Sequence, residues 1–153
     1  MDRIIGIGEY DVSNNVNDVL KTYALSSCVA LTIYDPVKRV LGMAHIALPS
    51  LQSTPAFNPA YYADIGIPVL IRKFCMGYGC NKENFLIKLF GGAESVKKDV
   101  FNIGMKNIAM VETVLKKYNL KINHYDTRGN KTRSIAADVA TGTVKVKYQP
   151  LCF

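Results

Sequence analysis

The chain has 153 residues, of which 49% are hydrophobic and 20% charged, with a net charge of +7. That balance fits one domain over residues 1–153 and excludes a disordered chain. No apolar run approaches the roughly 20 residues needed to span a bilayer. The N-terminal MDRIIGIGEYDV lacks the apolar core and cleavage site of a signal peptide, so the expected location is the cytoplasm, with the four cysteines as reduced thiols. The basic residues are scattered over KKD (97–99), KK (116–117) and RGNKTR (128–133). They read as solvated faces, or as a surface suited to an acidic protein partner, rather than as a nucleic-acid interface.

CVALTIY (28–34) is rich in β-formers and reads as a strand, DPVK (35–38) as a turn, and RVLGMAHIAL (39–48) as the returning strand of a hairpin. PSLQSTPAFNPA (49–60) reads as a surface loop. A helix is predicted from Tyr61 to about Met76, with Pro68 early in it and Gly77 and Gly79 ending it. NFLIKLF (84–90) reads as a strand stopped by Gly91 and Gly92. A second helix is predicted over 102–118, where Ile108, Val111, Val114 and Leu115 form an apolar stripe. Strands are predicted at 120–126, 134–139 and 143–148. The sum is one mixed α/β (α+β) domain without internal repeats.

Cys28 stands at the start of the first strand, and His45, one of two histidines, in the strand that returns beside it. With DPVK as a four-residue turn, Tyr34 pairs with Arg39 and Cys28 falls directly opposite His45, at cross-strand contact distance. A thiol beside an imidazole is the pairing that nucleophilic catalysis requires, and it should depress the thiol pKa. On pattern alone, a buried cysteine facing a satisfied core histidine is the commoner arrangement, so both readings stand. Cys75 and Cys80 read as packed thiols. His124 and Cys152 do not complete a recognisable zinc spacing with them. FGGAES (90–95) lacks the Lys-Ser/Thr pair of a phosphate loop and reads as a tight turn near the active site.

The ordered segments TYALSSCVALTIYD, GMAHIALP, YADIGIPVLI, KLFGGAES, IGMKN and DTRGNKTRS, running from about Thr22 to Lys147, resemble the CheD family of chemoreceptor glutamine deamidases. The resemblance implies hydrolysis of receptor glutamine side chains to glutamate and ammonia. It implies Cys28 as nucleophile, His45 as base and Thr22 as the hydroxyl-bearing third member, with no cofactor or metal. Methyl-accepting chemotaxis receptors are the implied substrates and the phosphatase CheC the implied partner. The implied fold is β-sandwich-like, with mixed sheets flanked by helices, similar to toxin-type cysteine deamidases.

Three family glycines are replaced, by Ser26, Arg128 and Thr132. Loops there must rearrange if those glycines had positive φ. Ser27 is expected to line the substrate site beside backbone oxyanion donors. Thr22 is expected to orient the imidazole by accepting a hydrogen bond from its second nitrogen, the bland alternative being a turn cap. The rival classes are a non-catalytic adaptor docking on receptors or CheC, and a thiol redox or zinc protein built on Cys75 and Cys80.

Overall fold

The computed structural model describes residues 1–50, 58–94 and 102–150. Among these, the strands are β1 (Asp2–Ile4), β2 (Tyr10–Ser13), β3 (Val19–Leu25), β4 (Val29–Asp35), β5 (Val40–Ile46), β6 (Leu86–Gly91), β7 (His124–Thr127), β8 (Lys131–Asp138) and β9 (Val144–Pro150). The helices are α1 (Ala63–Arg72) and α2 (Ile103–Lys117). One sheet has the order β1-β3-β8-β9 and the other β2-β5-β4-β6-β7. β1 with β3 and β6 with β7 are parallel pairs, and the remaining pairs are antiparallel.

β4 and β5 are buried along their whole length, because the five-stranded sheet is covered on both faces. Such strands read as continuous apolar runs rather than alternating ones. Ala30, Tyr34, Leu41, Met43 and Phe90 pack on Leu20, Leu25, Ile135 and Ala137 of the four-stranded sheet. On the opposite face, Val29, Leu31, Ile33, Ala44 and Ile46 pack against Ile67, Leu70 and Ile71 of α1 and Val111, Val114 and Leu115 of α2. The expected single α+β domain, a sandwich of mixed sheets flanked by helices, is what the chain forms.

The hairpin register differs from the expected one. Asp35 closes the ladder opposite Val40, so Ala30, not Cys28, faces His45. The cause is the Asp35 side chain, whose Oδ1 accepts from Val37 N at 2.9 Å and Lys38 N at 3.1 Å. An aspartate can nucleate a turn through its side chain while its backbone stays in the strand. The turn therefore occupies 36–39, with Arg39 at φ 53°. The change moves the pairing by two residues, an even number, so His45 and Cys28 keep to the same face.

Other boundaries also moved. The predicted first helix is a 3-10 turn (Pro59–Tyr61), then α1, then a π-helical turn over Lys73–Gly77. Pro68 lies at the sixth position of α1, past the first turn where a proline is harmless. The strand predicted at 120–126 forms at His124–Thr127, and β8 starts at Lys131 rather than 134. The predicted loop falls in part on 51–57, and Ser95 of FGGAES also lies outside the described residues. β1, β2 and β3 were not anticipated.

β3 places Thr22 and Leu25 inward although they are three residues apart. An irregularity in the pairing with β8 lies between them, where Ala24 adopts φ 57°. One extra residue in a strand reverses the alternation beyond it. Ser26-Ser27-Cys28 then carries the chain from the four-stranded to the five-stranded sheet. Neither Ser26 nor Thr132 has positive φ, so neither replacement strains the backbone, whereas Arg128 holds φ 71° without being glycine.

Candidate active site

Thr22 on β3 is fully buried, and His45 on β5 nearly so. The Thr22 hydroxyl donates to the Ile5 carbonyl at 2.7 Å and lies 2.7 Å from His45 Nδ1. A hydroxyl has one proton. With that proton given to Ile5, the oxygen accepts from Nδ1–H, and the lone pair of the neutral ring sits on Nε2. Nε2 is buried and has no hydrogen-bond partner. The backbone of His45 is held as well: its N–H donates to Glu9 O at 3.0 Å, and its carbonyl accepts from Gly8 N at 2.8 Å.

Cys28 is half-buried and packs with the residues between the sheets, on the face that carries His45. Since Ala30 faces His45, Cys28 stands one step beyond the ladder, diagonal to His45 rather than directly opposite it. The carbonyls around it are tied down. Ser26 O accepts from Ala93 N at 2.7 Å, Cys28 O from Gly92 N at 2.9 Å, and Ser27 O from Asn107 Nδ2 at 3.0 Å. The N–H groups of Ser26, Ser27 and Cys28 find no oxygen acceptor among the described residues.

Gly91 and Gly92 explain the FGGA turn. Gly91 has φ 101°, and a Cβ there would lie 2.4 Å from Cys28 O. The next turn follows the same edge: Arg128 N donates to Gly91 O, Glu94 N to Gly129 O, and the Arg128 guanidinium pairs with Glu94.

Burial dominates the electrostatics. It pushes the Cys28 thiol up, partly offset by the residue's own N–H, and it pulls His45 down to about 4. The expected depressed thiol pKa is thereby corrected: burying two ionisable groups disfavours the thiolate–imidazolium pair. Burial thus favours the neutral form of both groups.

Of the residues singled out in the sequence, Thr22 and His45 are in direct contact, Cys28 packs among the residues between the sheets, and the Ser27 carbonyl accepts from Asn107. Asn107 was missed. Its signal was an amide within the buried stripe of α2, alongside Gly104, Val111, Val114 and Leu115. Cys75 and Cys80 are free thiols that belong to the core cluster under the helices. Among the described residues no group of three or more His, Cys, Asp or Glu is placed to hold a metal, and Cys152 lies outside them.

A family model described as CheD chemotactic sensory transduction matches residues 47–148. A probable chemoreceptor glutamine deamidase CheD 1 from Syntrophus aciditrophicus is 44% identical, over 95% of this chain and 93% of its own. The chain belongs to the CheD family. A probable chemoreceptor glutamine deamidase CheD from Syntrophotalea carbinolica is 39% identical, over 95% and 93%. The chemoreceptor glutamine deamidase CheD of Thermotoga maritima is 36% identical, over 96% and 92%. No described helix is long and apolar enough to cross a membrane.

Proposed function

We propose that this CheD protein hydrolyses the side-chain amides of chemoreceptor glutamines, with Cys28 as nucleophile, His45 as general base and acid, and Thr22 as the residue that orients His45. The supporting observation is the chain Ile5 O, Thr22 Oγ1, His45 Nδ1, which leaves the basic nitrogen of His45 free on the face that Cys28 shares.

The thiol proton passes to His45 Nε2 as Sγ bonds to the glutamine Cδ. The oxyanion takes hydrogen bonds from the unengaged N–H groups beside Cys28. His45 returns the proton to the leaving nitrogen, the C–N bond breaks, and ammonia departs from a γ-glutamyl thioester. Water then attacks that carbonyl and gives its proton to His45, which passes it to the sulfur as the C–S bond breaks, yielding the glutamate carboxyl, the free thiol and a neutral imidazole. Every step is a proton transfer or acyl transfer, so the site's own residues suffice for the balance.

The methyl-accepting receptors are the substrates in this reading, CheC a second partner, and the cytoplasm the location, where the free thiols stay reduced. The test is to incubate the protein with a receptor cytoplasmic fragment, measure ammonia release, and map converted glutamines by mass spectrometry. Release that disappears in Cys28→Ala supports the reading. Binding without release favours the adaptor alternative.

A further inference from the structure

We propose that Asn107 is a positioning residue for this reaction, its single NH2 group holding the peptide before Cys28 to the end of the strand that carries His45. This rests on the assignment of Cys28 and His45 above.

The ladder between β4 and β5 ends at Val29 and Ile46. Continued one step, it would set Cys28 opposite Ala47. The strands part instead, and the N–H groups of Ala47 and Leu48 both turn to Tyr61 O, each at 3.0 Å. Asn107 enters the fork. It is fully buried, and its Nδ2 donates to Ser27 O and to Ala47 O, each at 3.0 Å. One nitrogen thus joins the two diverging strand ends where the ladder no longer can.

The planarity of the peptide carries this to the chemistry. The Ser27 carbonyl and the Cys28 N–H belong to one rigid unit and point in opposite directions. Holding the carbonyl aims the N–H that is available to the oxyanion. α2 comes close enough only because residue 104 is glycine: a Cβ there would lie 2.6 Å from Gly92 O and 2.8 Å from Ala93 O.

An aliphatic side chain would leave Ser27 O and Ala47 O without this donor, so the two bonds serve packing as well as position, and kinetics must separate the two roles. Asn107 Oδ1 is buried and finds no partner among the described residues, a cost that the two donated bonds offset. The two donors are used and the acceptor is idle, so donation to those two carbonyls is the function of the amide.

The test uses the full chain, with Asn107→Leu and Asn107→Asp measured on a receptor fragment. The expected result for Asn107→Leu is a fall in kcat of at least about tenfold with KM within about twofold, as for misplacement of a reacting group. Iodoacetamide should label Cys28 at an altered rate and Cys75 at an unchanged one. Asn107→Asp should regain part of its kcat relative to wild type as pH falls from about 8 to about 6, where a buried carboxyl takes a proton and donates again.

Wild-type kcat in a folded Asn107→Leu overturns the proposal. So does a loss that merely tracks the unfolded fraction, or equal acceleration at Cys28 and Cys75. If neither variant folds, side-chain amide NMR of the wild type decides. Slow solvent exchange of the Asn107 NH2 and a shift on carbamidomethylation of Cys28 support the role, and fast exchange or an unmoved signal overturns it. Turnover retained in Cys28→Ala would defeat the underlying site assignment. An inactive Cys28→Ala beside a fully active Asn107→Leu would defeat the Asn107 role alone.

Discussion

Thr22 Oγ1 and His45 Nδ1 meet at 2.7 Å from two different sheets, Thr22 from the four-stranded and His45 from the five-stranded one. Thr22→Val keeps the shape and removes both hydrogen bonds. It should lower kcat by roughly tenfold to a hundredfold, since the imidazole loses its fixed tautomer. Leaving the Ile5 carbonyl unpaired should also cost about 1–3 kcal/mol on unfolding. Thr22→Ser should keep most of the activity. Steady-state ammonia release and urea unfolding on the three proteins check this.

Burial pulls the His45 imidazole down to about 4 from its ordinary value of 6.5. The unfolded chain therefore binds the extra proton first as pH falls. The buried neutral ring contributes stability that is full above about 6.5 and lost progressively as pH falls toward about 4. The loss between pH 7 and 5 should be of order 2 kcal/mol by that linkage, and His45→Gln should lack this part of the pH dependence. Urea titrations of both proteins at the two pH values measure it.

Burial raises the Cys28 thiol above its ordinary value. Its alkylation by iodoacetamide should climb steadily with pH through neutrality, since the thiolate fraction grows about tenfold per pH unit well below the pKa. A plateau at neutral pH would mean a preformed thiolate. Rates followed by peptide mass mapping separate the two.

Gly91→Ala puts a Cβ against Cys28 O, at a φ that L residues resist. Strain and overlap together should cost about 2–4 kcal/mol. Because the clash falls on the carbonyl of Cys28, the proposed nucleophile, kcat should drop even at temperatures where the variant stays folded. Thermal unfolding and turnover, measured together, test both halves.

Replacing Cys75 and Cys80 together by alanine should lower stability by about 1 kcal/mol per buried site and leave kcat intact. The Cys80 thiol is pushed up to about 12, by burial first and then by Asp35, which makes it a poor nucleophile. Chelators should not change turnover. An inactive but folded double variant, or inhibition by chelation, would return weight to a metal or redox role.

Where strands bury both faces, local pattern was enough to read them: β4, β5 and α2 appear in the sequence as apolar runs and a stripe. The hairpin register was misplaced because Asp35 is a strand residue by backbone and a turn residue by side chain, and composition does not separate those roles. The even shift kept Cys28 and His45 on one face, although no longer directly opposed. β1 has three residues and is held by parallel pairing to β3 across the intervening β2, a non-local contact that leaves no local mark. The role of Thr22 came from family resemblance, since its partner lies in the other sheet. Asn107 was hidden because a polar residue on an apolar stripe gives no hint of which carbonyls it will meet.

Keeping Cys28 and His45 both neutral also has a bearing on survival of the thiol. Peroxide attacks thiolates and converts them to sulfenic acid. A cysteine held protonated and half-buried offers little thiolate to that reaction between catalytic events. On the proposed assignment, Cys28 should therefore be oxidised by peroxide more slowly at neutral pH than a cysteine that rests as its thiolate.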